Sequence, residues 1–95
     1  MDNDDFSASV HALQRMFERG ITETDIQDVL RSGKIVEEYP DDLPYPSALV
    51  LGCPGGRPVH VVVAANASGK EKLVVTVYGP DPAKWLPGFE RRRDK

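Results

Sequence analysis

The chain has 95 residues, of which 40% are hydrophobic and 28% are charged, and its formal net charge at pH 7 is −3. This composition is typical of one folded domain with a modest core and excludes a disordered segment. No apolar run approaches the roughly 20 residues that cross a bilayer, and the acidic start is unlike a signal peptide. We therefore expect a cytoplasmic protein with one domain over residues 1–95, and the single Cys53 agrees with a reducing compartment.

Charge is distributed unevenly along the chain. Residues 1–42 hold 4 basic and 11 acidic side chains, whereas residues 43–95 hold 8 basic and 4 acidic ones. The basic excess is concentrated in Arg91, Arg92 and Arg93, which could contact phosphates or remain solvated. The overall acidity argues against a protein that coats nucleic acid indiscriminately.

Two helices are predicted at the start of the chain. The first spans about residues 8–19 and ends at Gly20, which can adopt a left-handed conformation. The second spans about residues 23–32, with Thr22 as its cap in an approximate capping box. Because the link between them is short, we expect the two helices to pack closely as a hairpin.

The first helix carries two rows of side chains. The apolar row recurs at i, i+3 and i+7, so we expect it to face the core. Its members are Val10, Leu13 and Phe17. The second row recurs at every fourth residue and presents ionisable groups on a different face. Its members are His11, Arg15 and Arg19. One helix would thus supply both a core surface and groups suited to an anionic ligand.

Four strands are predicted after the helices. They span about residues 34–39, 47–53, 58–64 and 72–78. Turn-forming segments separate them, at residues 40–46, 54–56 and 66–70. Short turns favour antiparallel pairing, so the predicted fold class is α+β, with the helical hairpin packed on a four-stranded antiparallel sheet. A C-terminal tail over residues 80–95 follows, in which we expect Trp85, Leu86 and Phe89 to cover an open edge of the core.

Alternation within the last two strands orients the predicted sheet. Side chains that face the helices should be Val59, Val61 and Val63 in the third strand and Leu73, Val75 and Val77 in the fourth. His60 then points to the opposite face. The residues that share this face in the fourth strand would be Val74, Thr76 and Tyr78. We expect His60 to lie opposite Thr76 or Tyr78.

The side chains able to carry chemistry are histidines, arginines and tyrosines. Two histidines and one cysteine are too few for a self-contained zinc site, and no phosphate-binding glycine loop is present, so we predict no metal and no cofactor. RNA cleavage without a metal needs groups that exchange protons and donors that stabilise the phosphorane. Residues of these types are His11, Arg15, Arg19, His60 and Tyr78. The simpler alternative is structural, with hydrogen-bonded histidines and with arginines paired to acidic neighbours.

Several segments together resemble a small bacterial family of domains of unknown function. They are residues 11–22, 33–42, 44–47, 57–62, 76–78 and 80–82, with Trp85, so the resemblance covers about residues 9–93. Members of that family are similar to toxins of the RelE, BrnT and MqsR type, compact ribonucleases with helices packed on an antiparallel sheet. The resemblance implies an mRNA-cleaving toxin of a type II toxin–antitoxin pair. It also implies an antitoxin partner with a YgiT-type zinc finger, similar to the partner of MqsR.

The resemblance and the chemistry together define an expected site. His60 or His11 would act as general base and acid, while Arg15 and Arg19 would stabilise the phosphorane. Tyr78 would position the phosphate or stack on a base. Contacts with the RNA are expected from Arg57, Lys72, Thr76, Arg91 and Arg92.

Two other interpretations remain open from the sequence. The chain could be a binding module that holds a protein partner without cleaving RNA, or an accessory domain whose histidines are structural. The net acidity also departs from the strongly basic ribosome-dependent RelE nucleases, which favours cleavage of free RNA or a lost activity.

Overall fold

A computed structural model of the chain describes residues 6–41, 45–65 and 72–93. It is an α+β fold, in which the described elements are two helices, five strands and one short 3-10 turn. In chain order they are β1 (Phe6–Ala8), α1 (Val10–Arg19), α2 (Glu23–Ser32), β2 (Lys34–Tyr39), β3 (Ser47–Gly52), the 3-10 turn (Pro54–Gly56), β4 (Val59–Ala65) and β5 (Lys72–Tyr78). The predicted turn over residues 66–70 and the middle of the predicted loop over residues 40–46 lie outside the described residues.

The five strands form one mixed sheet in the order β1-β5-β4-β3-β2. β2 to β5 pair antiparallel, as predicted, but β1 pairs parallel to β5 through Phe6 with Lys72 and Ala8 with Val74. The prediction of four strands, all antiparallel, was therefore wrong. Three residues are too few to show an alternation, and their partner strand lies more than sixty residues further along the chain, so the sequence holds no local signal for β1.

The end of β1 leaves part of β5 open. β1 covers β5 only from Lys72 to Val74, so the stretch from Val75 to Tyr78 forms an open edge in the part of the sheet that the structure describes. Ser9 follows β1 and bonds to β5, where its backbone N–H donates to the Val74 carbonyl at 3.0 Å. This arrangement starts α1 directly beside the open edge.

Both helices lie on the same face of the sheet, over different strands. α1 contacts β5 and β1, whereas α2 contacts β3 and β4. The helices therefore do not pack closely on each other, as the predicted hairpin would require. Each packs on its own pair of strands instead. α2 approaches β3 closely at Gly52, where a Cβ atom would lie 2.7 Å from Cγ2 of Val29. The buried residues of α2, Ile26 and Val29, pack in the core.

Hydrogen bonds fix the two helix starts. The Ser9 hydroxyl accepts from the Ala12 N–H at 3.0 Å and donates to the Val75 carbonyl at 2.9 Å. Thr22 and Asp25 form a reciprocal capping box at the start of α2, as predicted. Because Ser9 joins the first turn of α1 to β5, it also sets the rotation of α1 about its own axis.

That rotation contradicts the predicted core face of α1. The buried residues are Ala12 and Met16, while Val10, Leu13 and Phe17 are exposed. Apolar side chains lie on two sides of this helix, and the sequence pattern favours the side with the larger side chains, Val10, Leu13 and Phe17, for the core. The small Ala12 side chain instead allows α1 to lie close to the sheet.

A bulge in β5 changes its predicted alternation. His60 lies opposite Tyr78, as predicted, and Val62 lies opposite Thr76, but Val63 then pairs with Val74. Val75 is the extra residue, so the side chains before it change face. Val74 and Val77 are in the core with Val59 and Val61, whereas we had expected Leu73 and Val75 there and Val74 on the opposite face.

Residues 80–93, which we call the C-terminal segment, cover the sheet face opposite the helices. Trp85 is buried against the His60 ring, as expected of a residue that covers the core. The segment doubles back on itself, because the Leu86 N–H donates to the Arg91 carbonyl at 2.8 Å and the Arg93 N–H donates to the Lys84 carbonyl at 2.9 Å. Arg91, Arg92 and Arg93, for which a solvated tail was one of the two alternatives, therefore belong to the folded domain.

Candidate functional site

A cleft of about 590 Å³ opens at the free edge of β5. α1 contributes the row of His11, Arg15 and Arg19, which we call the cationic row, to one wall, and β5 contributes its last residues. The C-terminal segment forms the opposite wall. The polar and aromatic side chains that line the cleft are those of His11, Arg15, Arg19, Thr76, Tyr78, Asp81, Lys84, Trp85 and Arg92. α1 therefore meets β5 and the C-terminal segment, which lie more than fifty residues further along the chain, in one concavity.

The charge in the cleft is mainly positive. Four of its side chains are cationic, and Asp81 is the one carboxylate among the described residues that line it. Arg15 pairs with Glu18 at 3.0 Å, but both side chains are exposed, so this pair is weak. Arg19 and Lys84 make no side-chain hydrogen bond or ion pair with any residue in the described ranges. The cleft thus presents uncommitted cations to an incoming anion.

His60 lies beneath the cleft instead of lining it. Its side chain is fully buried, and its ring meets Trp85 at 4.5 Å and Tyr78 at 5.4 Å between centroids, each in an edge-on arrangement. Its Nε2 lies 3.0 Å from the Phe89 carbonyl oxygen. A carbonyl only accepts, so Nε2 carries the hydrogen and the neutral ring leaves Nδ1 as an acceptor. Nδ1 has no hydrogen-bond partner within the part of the chain that the structure describes.

The environment of His60 keeps its ring neutral. Burial lowers its pKa, and the positive charge of Arg92 acts in the same direction, although the hydrogen bond to Phe89 opposes them. Phe89 itself adopts φ 59°, an uncommon value for a residue with a side chain, directly after Gly88 at φ 92°. This left-handed turn brings the Phe89 carbonyl to the histidine.

Arg92 connects the cleft to β2. Its guanidinium donates to the Glu37 carboxylate through Nε at 2.8 Å and Nη2 at 3.1 Å, and it lies 4.6 Å from the Trp85 ring centroid. The Tyr39 hydroxyl donates to the same carboxylate at 2.6 Å. Hydrogen bonding from Arg92 holds the pKa of Glu37 below its usual value. Burial, assisted by the Glu37 carboxylate, raises the pKa of Tyr39 to about 12.

The predicted site residues fall in different places. Those that line the cleft are His11, Arg15, Arg19, Thr76, Tyr78 and Arg92. Arg57 lies beside the cleft, in a depression that it shares with Arg19, where its Nη2 is 3.5 Å from the Gly20 carbonyl oxygen. Lys72 lies at the other end of β5, and Arg91 lies next to β2, so neither lines the cleft.

Three cleft residues were missed as site residues at the level of sequence. They are Asp81, Lys84 and Trp85, all in the C-terminal segment. Trp85 was expected only to cover the core. Lys84 lies in a proline-rich stretch without a helical or alternating pattern that would have placed it on a face. Only the return of the segment across the sheet brings these side chains to the edge of β5.

The described ranges contain neither a candidate metal centre nor a helix that could cross a bilayer. There, no group of three or more histidine, cysteine, aspartate or glutamate side chains is placed to hold a metal ion. Neither α1 nor α2 has the length and apolar character that a bilayer-spanning helix requires.

The fold and the cleft together define a small α+β domain with a cationic cleft at one edge of a mixed sheet. The chain belongs to the family described as a domain of unknown function, DUF4258, whose model matches residues 8–79. The expected membership in a family of domains of unknown function is thereby confirmed. The match ends before the C-terminal segment, so Asp81, Lys84, Trp85 and Arg92 lie outside it. No curated protein and no solved structure matches the chain.

Proposed function

We propose that the cleft binds the phosphate backbone of RNA and that the protein is a RelE-like toxin that cleaves RNA without a metal. The observation that carries the proposal is the convergence of a histidine, a tyrosine and four cations at the edge of β5. Arginine and lysine are the side chains that bind phosphate best, and a histidine within the same cleft adds a group that exchanges protons. A cleft, unlike a flat basic patch, also holds a substrate in one orientation.

In this mechanism, His11 accepts the proton of a ribose 2′-hydroxyl, and the 2′-oxygen attacks the adjacent phosphorus. Arg15 and Arg19 donate hydrogen bonds to the phosphorane oxygens, where negative charge develops. The Lys84 ammonium gives a proton to the departing 5′-oxygen. The products are a 2′,3′-cyclic phosphate end and a 5′-hydroxyl end.

His60 takes a positioning role in this proposal, in place of the proton transfer predicted for it. It is buried and neutral, and its ring packs edge-on against the rings of Tyr78 and Trp85, which line the cleft. Burial raises the pKa of Tyr78, so its phenol stays protonated at neutral pH and can donate a hydrogen bond to a phosphate oxygen.

The test is cleavage of a 5′-labelled single-stranded RNA by the purified protein in the presence of a metal chelator. Wild type should produce fragments with cyclic phosphate ends, and His11→Ala should slow cleavage by about 10²- to 10⁴-fold, the usual contribution of a general base. Arg91→Ala is the matched control, because this arginine lies outside the cleft and should leave the rate unchanged. A DNA strand of the same sequence, which lacks the 2′-hydroxyl, should remain intact.

Intact RNA with wild-type protein would overturn the proposal. Equal rates for wild type and His11→Ala, with Arg19→Ala also unchanged, would remove the cleft from the reaction. In cells, induced wild type should arrest growth and deplete mRNA, and His11→Ala and Arg19→Ala should not. Co-expression of an antitoxin with a YgiT-type zinc finger, the partner that this proposal includes, should restore growth.

A non-enzymatic binding module is the second candidate function. It is favoured by the exposed apolar row of α1, because large exposed side chains in a row are typical of a surface that meets another protein. In that case the protein would form a tight complex and leave RNA intact, and His11→Ala would not change the complex.

A further inference from the structure

A smaller depression adjoins the cleft at the C-terminal end of α1. It has a volume of about 300 Å³, and the residues that line it are Glu18, Arg19, Ile21, Arg57, Pro58 and Gly79. Arg19 and Gly79 also line the cleft, so the two concavities share a border. A Cβ atom at Gly79 would meet no heavy atom within 4 Å, so the space beside this residue is open. The cleft and the depression therefore form one continuous groove.

The depression presents two guanidinium groups. Arg19 makes no side-chain hydrogen bond or ion pair within the described ranges. Arg57 is exposed, and one of its five N–H donors lies near the Gly20 carbonyl oxygen, with Nη2 at 3.5 Å, where its charge offsets the negative end of α1. Glu18 is the one carboxylate among the described residues that line the depression, and it pairs with Arg15 at 3.0 Å. The balance of charge in the depression therefore favours an anion.

The cations of the groove follow the axis of α1. His11, Arg15 and Arg19 are four residues apart, so each step advances about 6 Å along the helix. That distance is close to the separation of adjacent phosphates along an extended single strand of RNA. Arg57 continues the series past the end of the helix, because its guanidinium lies beside Gly20, the residue that caps α1. The groove thus offers cations at the intervals at which a strand presents phosphates.

We propose that Arg57 and Arg19 bind the phosphate that follows the scissile phosphate on its 3′ side. This inference rests on the RNA-cleaving function proposed above and assigns a polarity to the bound strand. His11, as the general base, must contact the ribose that carries the attacking 2′-hydroxyl, and this ribose lies on the 5′ side of the scissile phosphate. His11 lies near the start of α1 and the depression lies at its end. The strand therefore runs 5′ to 3′ from the start of α1 to its end.

This polarity narrows the class of substrate. A bond that is cleaved efficiently has a charged phosphate one nucleotide further towards the 3′ end. The last bond of a strand that ends in a free 3′-hydroxyl has no such phosphate, and it should be cleaved about tenfold more slowly than an internal bond, the loss of one charge-assisted contact. The preferred substrates are therefore internal bonds of single-stranded RNA.

The kinetic test uses a DNA strand with a single ribonucleotide, which leaves only one bond that can be cleaved. A neutral methylphosphonate replaces the phosphate directly 3′ or directly 5′ of the scissile one. With wild type, the 3′ replacement should slow cleavage about tenfold, and the 5′ replacement should slow it much less. Arg57→Ala should slow cleavage of the unmodified strand about tenfold. In this variant the 3′ replacement should have no further effect, because both changes remove the same contact.

Two further variants control for charge and folding. Arg91→Ala removes an exposed arginine from a different cavity and should leave the cleavage of every strand unchanged. Arg57→Lys keeps a positive charge and should recover part of the rate. Because Arg57 is exposed, Arg57→Ala should leave thermal stability nearly unchanged, so a loss of rate would report on the contact with the strand.

Binding of an all-DNA strand, which lacks the attacking hydroxyl, is measured in parallel by fluorescence anisotropy. Arg57→Ala should lower its affinity about tenfold, whereas Arg91→Ala should not. If wild type cleaves RNA but neither Arg57→Ala nor the 3′ methylphosphonate changes the rate, this inference is wrong and the proposed function stands. A larger effect of the 5′ methylphosphonate would reverse the polarity and overturn the inference. If RNA stays intact, the proposed catalysis and the polarity fail together, and the effect of Arg57→Ala on affinity then decides whether the depression binds a phosphate at all.

Discussion

Arg92 and Glu37 form a bidentate ion pair that ties the C-terminal segment to β2, with Nε–Oε2 and Nη2–Oε1 distances of 2.8 and 3.1 Å. The guanidinium also lies over the Trp85 ring, so one side chain connects the sheet, the aromatic residue above His60 and the cleft. A side chain in this position orders a wall of the cleft, and two of its five N–H donors already bond to Glu37. We therefore regard Arg92 as a residue that shapes the site more than one that holds substrate.

Removal of this ion pair should loosen the C-terminal segment. We expect Arg92→Ala to lower the free energy of unfolding by about 1–2 kcal/mol, from the partly exposed ion pair and the contact with Trp85. Arg92→Lys keeps the charge but lacks the two-pronged geometry, so it should recover only part of that loss. Urea denaturation measures both. Arg91→Ala is the control and should change stability little, and an equal effect of the two alanine variants would contradict the role of Arg92.

The buried His60 should make stability depend on pH. Its folded-state pKa is lowered, so the unfolded chain binds a proton more readily than the folded one. The stability that this histidine contributes is present above its unfolded pKa, about 6.5, and is lost as the pH falls below that value towards the folded pKa. The lowered pKa of Glu37 acts in the same direction only at more acidic pH, below its unfolded value of 4.5.

His60→Phe tests this pH dependence, because phenylalanine is of similar shape and does not titrate. Between pH 7.5 and 5.5, wild type should lose stability and His60→Phe should change much less. His11→Ala leaves His60 in place and should keep the wild-type dependence. If His60→Phe and wild type lost stability in parallel over this range, another group would be responsible.

Substitutions on the two faces of α1 should differ greatly in how much they lower stability. Met16 is buried, so Met16→Ala should cost about 2–4 kcal/mol of unfolding free energy through lost burial and a cavity. Phe17 is almost wholly exposed, and Phe17→Ser should change stability by about 0.5 kcal/mol or less. Thermal or urea denaturation distinguishes the two. The reverse order would mean that the helix is rotated with Phe17 in the core, as the sequence pattern alone predicts.

The proposed contact between the cleft and RNA predicts a specific dependence on salt. Each phosphate neutralised by a cation makes binding to a single strand fall with salt, with a slope of about −0.7 in logarithmic units. Arg19→Ala should weaken binding of a short oligoribonucleotide and reduce the magnitude of that slope by about 0.7, the contribution of one phosphate contact. Anisotropy titrations over a range of salt concentrations measure this. Arg91→Ala should leave affinity and slope unchanged, and a loss equal to that of Arg19→Ala would place the RNA outside the cleft.

Local patterns in the sequence determined those features of the fold that depend only on residues close together in the chain. The capping box of Thr22 and Asp25, the left-handed end of α1 at Gly20 and the antiparallel order of β2 to β5 are all set by short-range chemistry. Alternation also limited the cross-strand partner of His60 to Thr76 or Tyr78, and Tyr78 is the one observed. Such features can be predicted because each depends on a few adjacent side chains and on one periodicity.

Long-range contacts decided the rest. Ser9 bonds to Val74 and Val75, more than sixty residues away, and thereby turns α1 so that Ala12 and Met16 face the sheet. No periodicity distinguishes that rotation from the one that buries the larger row. The cationic row was visible in the sequence, but its opposite wall was not, because Lys84 and Trp85 reach the edge of β5 only when the C-terminal segment folds back across the sheet. A helix pattern specifies which side chains lie together on one face, whereas only packing decides which way that face points.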